Sequence, residues 1–180
     1  AMYVMGENPM MSEPNQKHTR HALEALEFIV CQDIFVNETG VMADVILPAT
    51  SFAEKDGTFT NTDRRVQRCR AAVPPVGNSR PDWDILCDLG RRLEQRLGLD
   101  TGGFNFEHPR EIWEEMRQLT PDFWGIDYDR IEREGGVHWP CPGFDHPGTP
   151  FLFADGFPRG RGKFWEIDFG TESEQPDSDY

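Results

Sequence analysis

Lysine is nearly missing from this chain: Lys17, Lys55 and Lys163 stand against fifteen arginines in 180 residues. Acidic residues outnumber basic ones by 32 to 18, which gives a formal net charge of −14. Neutralising phosphates takes clustered Lys and Arg, so this balance argues against a nucleic-acid partner. An acidic, lysine-poor surface suits high ionic strength, where screening removes the self-repulsion of like charges. An arginine-favouring genome would leave the same imprint, and the sequence keeps both explanations open.

Other absences narrow the class. No apolar stretch approaches the ~20 residues that span a membrane. No leader-like segment precedes the first apolar run, so the expected location is cytoplasmic. The chain opens inside that run, at Ala1-Met2-Tyr3-Val4-Met5, and reads as a piece cut at a strand. The four cysteines, Cys31, Cys69, Cys87 and Cys141, form no C-x-x-C spacing, so neither zinc nor an iron–sulfur cluster is encoded. They are expected as buried free thiols. Neither G-x-G-x-x-G nor G-x-x-x-x-G-K-[ST] occurs, which disfavours ordinary NAD and P-loop nucleotide binding.

What is present has a clear order. Met2–Met5 is a short apolar run stopped by Gly6 and Pro9, the pattern of a fully buried strand. A helix is expected over 16–27 from the spacing of Ala22, Leu23 and Leu26, with Asn15 or Thr19 as its cap. Strands are expected at 28–31 and 44–47, the second stopped by Pro48. Uninterrupted apolar strands separated by a helix predict a parallel sheet covered on both faces, in an α/β, three-layer αβα, Rossmann-like unit over residues 1–100. Residues 49–76 show no period and read as a long functional loop. Helices are expected over 81–97, 109–119 and near 128–134. Phe164–Phe169 alternates like a strand, and 170–180 is acidic and expected to be disordered. Residues 101–169 read as an irregular or helical extension leading to a next domain.

In such sheets ligands bind at the carboxyl ends of the strands. Three polar clusters fall at three such ends: Gly6-Glu7-Asn8, Gln32-Asp33 and Pro48-Ala49-Thr50. Gly6 lets a ligand approach the backbone. Asn8 precedes a helix start that favours anions, and Asp33 sits where nucleotide-binding folds place a carboxylate on ribose hydroxyls. Asn8 and Asp33 equally suit turn capping.

Taken together, Gly6-Glu7-Asn8-Pro9, Val30-Cys31-Gln32-Asp33, Leu47-Pro48, Gly57-Thr58-Phe59-Thr60-Asn61-Thr62-Asp63-Arg64-Arg65-Val66-Gln67 and Pro81-Asp82-Trp83 resemble the large subunit of molybdopterin-dependent oxidoreductases. Within it they resemble the formate dehydrogenase alpha subunit, toward which His138-Trp139-Pro140-Cys141-Pro142 also leans. The resemblance implies a region that binds bis-molybdopterin guanine dinucleotide, carrying molybdenum or tungsten, in an enzyme that oxidises formate. It implies cofactor contacts from Gly6, Glu7, Asn8, Gln32, Asp33, Pro48, Ala49 and Asp82. For Asp82 the chemistry is apt, since a carboxylate accepts the adjacent N1–H and N2–H₂ donors of guanine, although Asp82 could also cap the 81–97 helix. Implied partners are the remaining domains of the same polypeptide, which would hold the iron–sulfur cluster and the catalytic residues, and electron-transfer subunits. Because those domains are absent, 49–76 and 136–163 are expected to be poorly packed.

Two more clusters stay open. Arg64, Arg65, Arg68 and Arg70 could meet a pyrophosphate or a neighbouring acidic domain, or form a solvated loop arm. His138, Cys141 and His146 lack a fourth matched metal ligand. A nitrate reductase or other molybdopterin oxidoreductase is the nearest rival, and a non-catalytic adaptor or assembly module is the rival of a different class.

Overall fold

A computed structural model describes residues 1–170; the tail expected to be disordered lies outside the described residues from position 171. The backbone forms two compact units. One comprises Ala1–Thr50, Val76–Asp82 and the described residues from Lys163, and the other Ser51–Pro75 and Trp83–Gly162.

In the first unit the apolar runs become β1 (Met2–Met5), β2 (Ile29–Asp33) and β3 (Val45–Pro48). They pair in parallel in the order β1-β2-β3, with Val4 opposite Cys31 and Cys31 opposite Ile46. Parallel neighbours need a crossover, and β1 reaches β2 through α1 (Pro9–Ser12) and α2 (Gln16–Glu24). Pro9 opens α1, where its missing N–H would have no partner anyway. Asn15 starts α2 by accepting the His18 amide on Oδ1 at 3.0 Å. Met10, Leu23 and Ile29 bury together, with Leu26, Met42 and Ala43 around them. Asp44 ties the start of β3 to that of β2 by accepting the Ile29 amide at 2.7 Å. Beyond β3, Ala49 bridges in parallel to Arg80. That bridge brings residues 80–82, and so the first residue of α3 (Asp82–Leu97), to the carboxyl edge of the sheet.

The second unit is antiparallel. β4 (Gly57–Thr60) and β5 (Arg65–Cys69) form a hairpin, and β6 (Val137–His138) adds to β5. Its core is Val66, Trp113, Ile126, Tyr128, Ile131, Val137 and Cys141, drawn from the hairpin, from α4 (Pro109–Leu119), from α5 (Tyr128–Glu134) and from the turns between. Trp113 satisfies its indole N–H on the Ile126 carbonyl at 2.6 Å. Arg130 is 5% exposed and is held by Glu134 at 3.0 Å and by the carbonyls of Gly125 at 3.0 Å and His146 at 2.8 Å. A buried charge persists only with such partners. Gly135, at φ 72°, closes α5 in the left-handed region.

Three expectations are corrected. Residues 49–76 are not a structureless loop, because they contain the β4–β5 hairpin. The strand period was hidden by polar side chains on both faces: Arg68 faces inward by laying its guanidinium 4.3 Å over the Tyr128 ring. Residues 136–163 are not uniformly loose, since Val137 and Cys141 are fully buried, while 151–163 are exposed. Phe164–Phe169 forms no strand, and Phe164 and Phe169 are fully exposed. Alternation makes a strand only where another strand can pair with it.

Gly125 offers a test of the second unit. A Cβ there would come within 2.1 Å of the Gly143 carbonyl oxygen, whereas a Cβ at Gly143 would meet nothing within 4 Å. Gly125→Ala is expected to lower stability by about 1–3 kcal/mol, and Gly143→Ala by less than about 0.5 kcal/mol. Urea-unfolding midpoints of the two variants check the contrast.

Candidate functional site

The three strands point the same way, so their carboxyl ends at Met5, Asp33 and Pro48 open onto one edge, where the connecting loops diverge. Gly6 turns the chain there with φ 63° and donates its N–H to the Gln32 carbonyl at 2.9 Å. A Cβ on Gly6 would meet nothing within 4 Å, so space is open above this turn. Glu7 and Pro48 are exposed on the same edge.

Gln32 is sealed, with 0% exposure. Its Oε1 accepts the Tyr3 hydroxyl, and its Nε2 donates to Asp82 Oδ1 at 2.8 Å. Both ends of the carboxamide are thus engaged. Asp82, fifty residues away in sequence, lands beside Gln32 at half-buried depth. Burial, followed by the nearby Asp82 charge, pushes the Tyr3 phenol above its ordinary range.

Asn8 and Asp33 shape the loops. Asn8 donates to Glu38 Oε2 at 2.7 Å, and its Oδ1 accepts the Thr39 hydroxyl at 2.8 Å and the Thr39 amide at 3.2 Å. Asp33 Oδ1 accepts the amides of Ile34 at 2.6 Å and Phe35 at 3.4 Å, and its Oδ2 accepts Asn37 Nδ2 at 2.9 Å. These are the local side-chain-to-backbone bonds that short polar residues make in turns. The Ala49 N–H is engaged by the Asp33 carbonyl at 3.0 Å. The structure therefore brings Gly6, Gln32, Asp33, Ala49 and Asp82 into one hydrogen-bonded rim, with Asn8 bracing the loop alongside.

Sequence reasoning passed over Tyr3 and Thr39, and it placed Thr50 in a strand-end cluster without giving its hydroxyl a role. Thr50 is 1% exposed and its Oγ1 is buried without a partner. A threonine directly after a Leu-Pro-Ala strand end was its one available signal.

The other clusters are committed elsewhere. Arg64 donates to the Trp139 carbonyl and to the Pro150 carbonyl at 3.1 Å. Arg68 pairs with Glu132 at 3.0 Å, and Arg70 pairs with the same carboxylate. His138 lies 3.4 Å from Asp63, while the Cys141 thiol faces the Gly143 and His146 carbonyls at 3.6 and 3.5 Å. Among the described residues no group of three His, Cys, Asp or Glu side chains could hold a metal ion. Among them too, no helix is long and apolar enough to cross a membrane.

The Asn8–Glu38 contact predicts a pH effect. The bond from Asn8, aided by the backbone N–H of Glu38 itself, holds the Glu38 carboxyl below its ordinary range. A depressed carboxylate stabilises the fold above its unfolded pKa, and that stabilisation is lost as pH falls through the folded value. Asn8→Ala is expected to return the Glu38 midpoint upward toward the ordinary value near 4.3, as read by NMR titration of the side-chain carboxyl. An unmoved midpoint would show that the bond does not hold this carboxylate.

Comparison with known proteins places this edge in context. The profile of the molybdopterin oxidoreductase family matches residues 1–92. The alpha subunit of F420-dependent formate dehydrogenase from Methanocaldococcus jannaschii is 46% identical over 181 residues, covering 99% of this chain and 26% of its own length. The catalytic subunit of assimilatory nitrate reductase from Bacillus subtilis is 41% identical over 160 residues, covering 87% of this chain and 22% of its own length. Acetylene hydratase from Pelobacter acetylenicus superposes with a TM-score of 0.54 at 20% identity, over 73% of this chain and 17% of its own, a likeness of fold. The chain spans about a quarter of the length of the two curated relatives. With the profile covering 92 of its 180 residues, the chain belongs to the molybdopterin oxidoreductase family.

Proposed function

We propose that this chain supplies the edge that holds one guanine dinucleotide arm of a bis-molybdopterin guanine dinucleotide cofactor in a formate dehydrogenase-like oxidoreductase. The observation that carries the reading is the Gln32–Asp82 hydrogen bond, which sets a carboxylate on the rim where three parallel strands end. Two further features fit such a group. Space is open over Gly6, and the Thr50 hydroxyl is buried without a protein partner, as groups awaiting a ligand or water are.

Each residue has a part. Asp82 accepts the N1–H and N2–H₂ edge of guanine in bidentate fashion. Gly6 keeps the backbone open to close approach, with Glu7 and Pro48 exposed beside it. Asn8 and Asp33 fix the loops that frame the rim, Gln32 orients Asp82, and the small Ala49 lets the Asp33 carbonyl close onto its amide. In this reading the parallel sheet is one layer of a three-layer αβα arrangement in the complete enzyme, with 101–169 leading on to the next domain. When bound, the molybdenum or tungsten cofactor supplies the two-electron oxidation that turns formate into carbon dioxide, two electrons and a proton. The iron–sulfur relay and the electron-accepting subunits belong to the remaining polypeptide and its partners.

Formate is favoured over nitrate by the higher identity to the formate dehydrogenase and by the His138–Pro142 segment. The nitrate reductase relative keeps nitrate as the alternative substrate.

Asp82→Ala in the complete enzyme tests the reading. It removes the bidentate acceptor at a cost of about 1–3 kcal/mol of binding. Metal content and guanine nucleotide released from the purified protein should fall severalfold, with the circular dichroism spectrum unchanged. Unchanged loading would remove Asp82 from the site, and nitrate-dependent rather than formate-dependent turnover would reassign the substrate.

A further inference from the structure

We propose that Tyr3 is a positioning residue for base selection: through the buried carboxamide of Gln32 it keeps Asp82 an acceptor, matched to a base edge that presents two adjacent donors. The proposal rests on the reading that Asp82 meets guanine.

Gln32 touches no ligand itself, because it is 0% exposed and both ends of its amide are engaged within the protein. A carboxamide has one donating and one accepting end. Two arrangements of this trio are therefore self-consistent. In one, Tyr3 donates to Oε1 and Nε2 donates to Asp82, whose oxygen accepts. In the other, the amide is flipped, Nε2 donates to the Tyr3 oxygen, and Oε1 faces Asp82, which must then carry a proton and donate it. The structure holds the first.

Tyr3 is well placed to select it. In the β1–β2 register Met5 stands opposite Gln32 and Tyr3 opposite Val30, so Tyr3 and Gln32 lie on one sheet face as diagonal neighbours. Burial and the Asp82 charge push the phenol up, so the hydroxyl keeps the proton it donates. With Asp82 held as an acceptor, the paired donors of guanine are matched. Cytosine offers one donor beside the N3 acceptor, which would face a carboxylate oxygen.

The test uses this chain with guanosine diphosphate as the probe and cytidine diphosphate as the base control, in NMR titrations. The wild-type chain is expected to prefer guanosine diphosphate. Tyr3→Phe should weaken that binding about 3- to 10-fold, the worth of one hydrogen bond. The unfolding midpoint should fall, because the buried Gln32 oxygen loses its donor. Cytidine diphosphate affinity should stay near wild type, so the selectivity ratio narrows, which a purely structural role would not produce. Gln32→Leu, which cuts both links, should narrow the ratio to the same extent. Asp82→Asn should abolish the preference.

If Tyr3→Phe keeps the ratio while Asp82→Asn abolishes it, the Tyr3 role is wrong and the guanine site stands. If the wild-type chain shows no preference, or Asp82→Asn retains it, the guanine reading fails and takes the Tyr3 role with it. Should Tyr3→Phe fail to fold, the wild-type Gln32 side-chain amide decides: slow hydrogen exchange supports a locked amide, and fast exchange overturns it.

Discussion

A carboxamide sealed from water must find a donor for its oxygen and an acceptor for its nitrogen inside the protein, or each unmet end costs about 1–3 kcal/mol. Gln32 meets that demand with Tyr3 from β1 and Asp82 from the start of α3. Because β2 is the middle strand, satisfying this one side chain fixes segments 29 and 50 residues away against the same sheet. The backbone follows suit: Gly6 donates to the Gln32 carbonyl, Ala49 to the Asp33 carbonyl, and Arg80 to the Pro48 carbonyl at 3.1 Å. The rim that the proposed function needs is thus the arrangement that leaves neither end of the Gln32 carboxamide unpaired.

Much of the first unit was legible because its signals are local. Continuous apolar runs of four or five residues read as strands, and Gly6, Pro9 and Pro48 punctuate them where they end. Cover on both faces does not follow: Val4, Ile29 and Cys31 are buried, whereas Met2, Tyr3, Met5, Val45 and Ile46 are exposed. Asn15 was readable as a cap because its side chain acts three residues ahead. The α3 and α4 ranges followed from helical spacing of Ile, Leu and Met. The depth of each rim residue was not legible. Asn8 and Asp33 look like ligands in sequence because both are polar and sit at strand ends, yet their side chains close on Thr39, Glu38, Asn37 and the local amides. A polar residue at a strand end serves either the ligand or the loop that frames it, and spacing alone does not say which.

The second unit was harder to read for a different reason. Its hairpin is stitched by charge and aromatic contacts more than by apolar alternation. Val66 is the single fully buried apolar side chain of β5, while Arg68 reaches the interior by stacking on Tyr128 and pairing with Glu132 and Asp56. A pattern search that counts Arg as outward-facing reads such a strand as loop. β6 is two residues long, and its place depends on Val66 and Arg65 across the sheet rather than on its own sequence.

That hairpin also bears on the scarcity of lysine. Residues 139–150 carry four prolines and two glycines, so much of their backbone can join neither helix nor sheet, and buried carbonyls there must still be met. Arginines meet them. Arg130 spreads its guanidinium over the carbonyls of Gly125, Phe144 and His146 and the Cys141 sulfur, and Arg64 joins the Trp139 and Pro150 carbonyls. Arg117 reaches the Trp124 carbonyl at 2.8 Å while lying over the Trp124 and Phe144 rings. A planar fork with five donors can span several acceptors and stack at once, whereas an ammonium group is a compact point charge with three donors. Salt adaptation and genome bias both explain an exposed arginine such as Arg20, which any cation could replace. Neither is needed for Arg64, Arg117 and Arg130, where the irregular backbone itself demands the guanidinium geometry.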